Sequence, residues 1–160
     1  MAEAIGLAAS IVGLAGAAAS LSLTLYDFVG TVRYAKEEIN ILAIETSDLS
    51  TVLDHLGMVL NQNKNCIIPK TVDTISTLTK RCERLLEQLS VTVNLVKARA
   101  THIEWLLRKR KTQEIKSSLE GFKSNLSLII QTVILGNTIQ GGSSRYGHRR
   151  MDKSKCLNIQ

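Results

Sequence analysis

The chain has 160 residues, enough for one domain that buries a real core. It is 44% hydrophobic but only 4% aromatic, with a single Pro and a net charge of +6, so any core must be built from Leu, Ile, Val and Ala. Without regular Pro and Gly turn punctuation, a β-sandwich and a doubly wound sheet are excluded, and long stretches are free to be helical.

The first segment, Ala4 to about Phe28, carries no charge as far as Tyr26. A helix of about 20 residues spans roughly 30 Å, so this run is long enough to cross a bilayer. Its large apolar residues, Ile5, Ile11, Val12, Leu14, Leu21, Leu23 and Leu25, are the candidate membrane-inserting side chains. The interspersed Ala9, Gly13, Gly16, Ala17 and Ser20 are candidate helix-packing residues, because small side chains on one ridge let another helix approach closely. A helix that is apolar all round belongs either at the centre of a bundle or in a membrane. A cleaved secretory signal fits poorly, since Glu3 stands where a basic stretch is needed.

The second segment follows a break near Gly30. Ile39, Leu42, Thr46, Leu49, Leu53, Leu56 and Leu60 recur at alternating spacings of three and four, which lines one helix face. Pro69 suits the first turn of a third helix. There Val72, Ile75, Leu78, Cys82, Leu85, Leu89, Val93 and Val96 continue the same period. Cys82 falls on the stripe and reads as a small buried hydrophobe. Cys66, Cys82 and Cys156 form no CxxC or metal-spaced pair, which fits reduced thiols in a cytoplasmic protein.

A fourth helix is predicted from a capping box at Thr101-His102-Ile103-Glu104. It meets the cluster Arg108-Lys109-Arg110-Lys111 and is expected to break near Lys111-Thr112. Ile115, Leu119, Phe122, Leu126, Ile129 and Val133 then form a last stripe, fading near Gly136. Residues 137–160 have no periodicity and read as a disordered basic tail, leaving residues 1–136 as the bundle domain. Charge is divided accordingly: residues 1–65 hold three Lys/Arg against seven Asp/Glu, whereas residues 66–160 hold 17 against seven. With Trp105, the residues Arg108, Lys109, Arg110 and Lys111 form a candidate lipid-headgroup contact, or else a solvated cluster of the helix surface. Nucleic acid is a poor fit, because no series of aromatic side chains accompanies the charges.

No GxxxxGK[ST], GxGxxG, HExxH or GxSxG motif occurs, and His55, His102 and His148 lie on separate segments. The expectation is an all-α antiparallel four-helix bundle that is not an enzyme and uses no cofactor, metal or small-molecule substrate. It would act through self-association, another helical domain or an anionic membrane.

Three stretches also carry a resemblance. They are the Ala-rich opening that ends Tyr26-Asp27-Phe28-Val29, the segment Ser47-Asp48-Leu49-Ser50, and the run from Trp105 through Lys109-Arg110-Lys111 and Glu114-Ile115 to Phe122-Lys123-Ser124-Asn125-Leu126-Ser127-Leu128. Over about residues 1–135 the chain resembles the fungal STAND-protein N-terminal domain, a HeLo-like helical domain also catalogued as the azaphilone pigment cluster protein L N-terminal domain. The resemblance implies a four-helix bundle of the kind found at the N-terminus of fungal NLR-like receptors. It further implies a role in programmed cell death, in which an N-terminal apolar helix, here Ile5 to Leu25, permeabilises membrane after oligomerisation. A soluble adaptor bundle with no membrane activity is the alternative.

Overall fold

A computed structural model describes the backbone of residues 2–32, 35–63, 69–99 and 102–155, and the side chains of residues 5–32, 35–63, 69–97, 110–136 and 138. Four helices account for the fold: α1 (Ala2–Thr31), α2 (Lys36–Gln62), α3 (Pro69–Arg99) and α4 (His102–Lys155). Among the described residues α1 packs on α2, α2 on α4, α4 on α3 and α3 on α1, closing a four-sided ring. The all-α bundle expected from the periodicity is what forms.

Register follows from individual contacts. The Ser22 hydroxyl donates to the Ala43 carbonyl at 2.8 Å, and that of Ser50 to the Ala15 carbonyl at 2.9 Å. As one index rises by seven the other falls by seven, so α1 and α2 are antiparallel. The chain reverses between them through Ala35, whose φ of 60° is a left-handed conformation that costs a residue with a Cβ about 1 kcal/mol. At Gly57 of α2 a Cβ would come within 3.0 Å of a Val12 methyl and 3.8 Å of the Ala8 carbonyl oxygen. Glycine is therefore what lets the two backbones come this close.

All seven residues of the α2 stripe, Ile39 to Leu60, are buried. They meet Ile75, Leu85, Leu89 and Val93 from α3, and Ile115, Leu119, Leu126 and Val133 from α4, in one continuous core. Both phenylalanines lie under a cation from α3: Lys97 is 5.8 Å from the Phe28 ring centre and Arg81 is 5.7 Å from that of Phe122. Cys82 is buried, and burial pushes its thiol pKa up to about 12, so no nucleophilic thiolate forms there near neutral pH.

One sequence expectation is corrected. Helix α4 is unbroken at Lys111-Thr112, because Arg, Lys, Gln and Glu are all strong helix formers and the apolar stripe resumes at once with the buried Thr112 and Ile115. The backbone of α4 is helical as far as Lys155. A glycine ends a helix by adopting positive φ, and none of the described glycines does so. The expected cap at Thr101, together with Cys66, Cys156 and residues 156–160, lies outside the described residues.

A charged contact joins α4 to α2. Lys123 of α4 reaches Glu45 at 2.5 Å and Asp48 at 3.4 Å, both on α2. Burial alone would lower the Lys123 pKa, but the hydrogen bonds and charges of the two carboxylates outweigh it and the pKa is raised. A lysine with a raised folded pKa contributes stability that is fully present below the ordinary value of about 10.4 and is lost as pH climbs through the folded value. Replacing it by Met leaves Glu45 half-buried without its cation. Lys123→Met is therefore expected to destabilise the bundle by about 2 kcal/mol at pH 7 and by much less at alkaline pH, as read by urea denaturation at the two pH values.

Candidate interaction surface of the first helix

Helix α1 presents two unlike faces. The inner one buries Ala8, Ile11, Leu14, Ala15, Ala18, Ser22, Leu25 and Phe28, with Ile11 and Ala18 fully shielded. The outer one leaves Ile5 and Val12 each 51% exposed and Leu23 66% exposed, with Ala9, Gly16 and Ala19 between them. No charged residue lies on this outer face from Ile5 to Tyr26. A surface helix of a soluble protein ordinarily turns charged residues outward, so the absence is the unusual property of α1. The most apolar 18-residue window of Ile5–Thr31 has a mean hydropathy of 1.8, and only 28% of that window is buried. A true core helix of that composition would be mostly buried.

Of the seven candidate inserting residues, Ile11, Leu14 and Leu25 are packed in the bundle and Leu21 is half-buried, while Ile5, Val12 and Leu23 face outward. The small residues Ala9, Gly13, Gly16, Ala17 and Ser20 are all exposed. Beside Gly13 and Gly16 there is open space, with nothing within 4 Å of an added Cβ. The close helix approach inside the bundle is made instead at Gly57, a position sequence reasoning passed over.

Between α1 and α3 runs a groove of about 1370 Å³. Ser10, Gly13, Ala17, Ser20 and Thr24 form one wall, and Lys80, Glu83, Arg84 and Glu87 the other. Small side chains facing long charged ones cannot interdigitate, so α1 is gripped by α2 and only loosely flanked by α3. Among the described residues no three His, Cys, Asp or Glu side chains converge in the arrangement a metal needs. His55 is exposed on α2.

The basic cluster lies in the first turns of α4. Arg110 and Lys111 are exposed, and Arg110 pairs with Glu114 at 3.3 Å one turn on. The side chains of Trp105, Arg108 and Lys109 are outside the described residues. The Lys123 clamp was not foreseen, although it joins two of the stretches singled out in the sequence, Ser47–Ser50 and Phe122–Leu128. Its signal would have been a lysine next to the apolar stripe of α4 and a glutamate next to that of α2, each at the edge of a buried face.

No curated protein and no solved structure matches the chain. A family model for the N-terminal region of a pigment biosynthesis cluster protein matches residues 2–154, nearly the whole length. The chain belongs to the pigment biosynthesis cluster protein PigL N-terminal family.

Proposed function

We propose that this domain is a non-enzymatic effector or signalling module of the fungal NLR-like type, cytoplasmic at rest, that engages an anionic membrane through the outer face of α1. The observation carrying this reading is the uncharged, partly apolar outer face from Ile5 to Tyr26. Transferring Val12 and Leu23 from water to lipid is worth about 1.5–3 kcal/mol each. The exposed Arg110 and Lys111 would add about 1 kcal/mol per cation at an anionic surface. The resemblance to HeLo-like domains extends the reading to permeabilisation and cell death.

Partition onto phosphatidylserine-containing vesicles tests it. The double variant Ile5→Glu/Leu23→Glu keeps the fold, because both side chains are more than half exposed, and is expected to lose vesicle binding at least tenfold, about 1.4 kcal/mol. Equal binding of variant and parent would remove the membrane reading. Deleting residues 1–25 is a poorer test, since it also strips the inner face from α2 and unfolds the bundle.

A second reading, a soluble oligomerisation or adaptor bundle, has its own support. The inner face of α1 is tied to α2 by the Ser22 and Ser50 hydrogen bonds and the Gly57 contact. A helix held in this way stays in the bundle unless something displaces it.

A further inference from the structure

We infer that Thr112 is a phosphorylation site, presented when the first turns of α4 open locally to a kinase that selects basic residues ahead of its acceptor. Such a site would regulate the bundle under either reading of its function. Among the described residues four threonines are buried: Thr46, Thr79, Thr92 and Thr112. The first three return their hydroxyls to the carbonyl one turn earlier, at 2.7 Å to Leu42, 2.8 Å to Ile75 and 2.7 Å to Gln88. The Thr112 hydroxyl is shut away from solvent and has no hydrogen-bond partner. An unsatisfied buried hydroxyl penalises the docked helix, and the penalty is relieved once water reaches it.

The surrounding chain favours the same opening. Four consecutive cations, Arg108-Lys109-Arg110-Lys111, lead into Thr112. Arg108 and Lys111 stand three apart on one helix, a spacing at which like charges repel. Arg110 pairs with Glu114, but both are mostly exposed and the pair adds little. Among the described residues Thr112 is also the first buried one of α4, so opening up to this point releases it while Ile115, Leu119 and Phe122 stay docked. The released segment sets four basic residues before an acceptor hydroxyl, complementary to an acidic peptide groove. The Thr112 Oγ1 attacks the γ-phosphorus of ATP, and the bond from that phosphorus to the β,γ-bridging oxygen breaks. ADP leaves, and the hydroxyl proton passes to a carboxylate base of the kinase. The product carries a charge of about −1.5 to −2 and cannot return to the dry site that Thr112 left. Arg108, Lys109 and Lys116 lie four before, three before and four after it, the spacings at which side chains meet on a helix surface. The phosphate is therefore paired on the undocked helix, and phosphorylation holds that end of the bundle open.

Incubating the full chain with ATP and the catalytic subunit of cyclic-AMP-dependent protein kinase tests the proposal, with the modified residue found by mass spectrometry. Incorporation at Thr112 is expected in the parent. Thr112→Val, which keeps the shape and removes no hydrogen bond, is expected to abolish that incorporation and stay folded. Leu53→Ala separates local from global opening, because it sits on another helix and raises the unfolded population more than about a hundredfold. A local opening leaves the rate of incorporation within about twofold of the parent. A parent that takes no phosphate at Thr112, or a Thr112→Val chain that takes as much as the parent, would overturn the proposal. So would a rate that rises about a hundredfold with Leu53→Ala, since Thr112 would then be reached only through the unfolded chain.

Discussion

Ala18→Leu is expected to destabilise the bundle by about 3–5 kcal/mol, while Ala17→Leu, one residue earlier, leaves it unchanged within about 0.5 kcal/mol. Ala18 is fully shielded and lies one turn from both Ala15 and Ser22, whose backbone carbonyl and hydroxyl bond to α2. Three added carbons at that point must push α1 away from α2. Overpacking of this kind costs about 1–3 kcal/mol, and the two hydrogen bonds lost with it about 1 kcal/mol each. Ala17 opens onto the groove of about 1370 Å³ between α1 and α3, where a leucine finds space. In a chain of this size the first substitution corresponds to a fall in Tm of about 10 °C. Thermal denaturation of the two variants reads the difference, and equal effects would mean that α1 is not docked in this register.

Leu53→Ala is expected to cost about 3–4 kcal/mol, with Ile44→Ala on the same helix within about 0.5 kcal/mol of the parent. Leu53 is 1% exposed at the middle of the α2 stripe, and α2 is the helix that borders both α1 and α4. The cavity left by its side chain would be bounded by aliphatic neighbours on long rigid helices, which relax into it only in part. Ile44 is 42% exposed and loses little by truncation. With folding stabilities of about 5–15 kcal/mol in total, the Leu53 variant should unfold at markedly lower urea concentration with an unchanged slope.

Helices α2, α3 and α4 were legible because polar and apolar residues alternate around them. Each stripe residue of α2 read from spacing is buried, and in α3 and α4 only Val72, Leu78 and Ile129 at the edges are partly exposed. Helix α1 was legible as a helix but not in its orientation. With Ile11, Ala18 and Leu25 on one side, and Val12, Ala19 and Leu23 on the other, no charge marks which side meets water. Only the partner helix decides that, through Ser22, Ser50 and Gly57. The Lys123 clamp was hidden for a related reason: its carboxylates lie some 75 residues away, and nothing local in either helix announces the pairing.

Hydrogen exchange of the α1 amides in lipid-free solution tests most directly whether this helix belongs to the bundle. Amides from Ile11 to Phe28 should exchange as slowly as those of α2, through the same global opening. Rapid exchange across that segment, with α2 to α4 still protected, would contradict a docked first helix and leave its outer face without the scaffold that presents it.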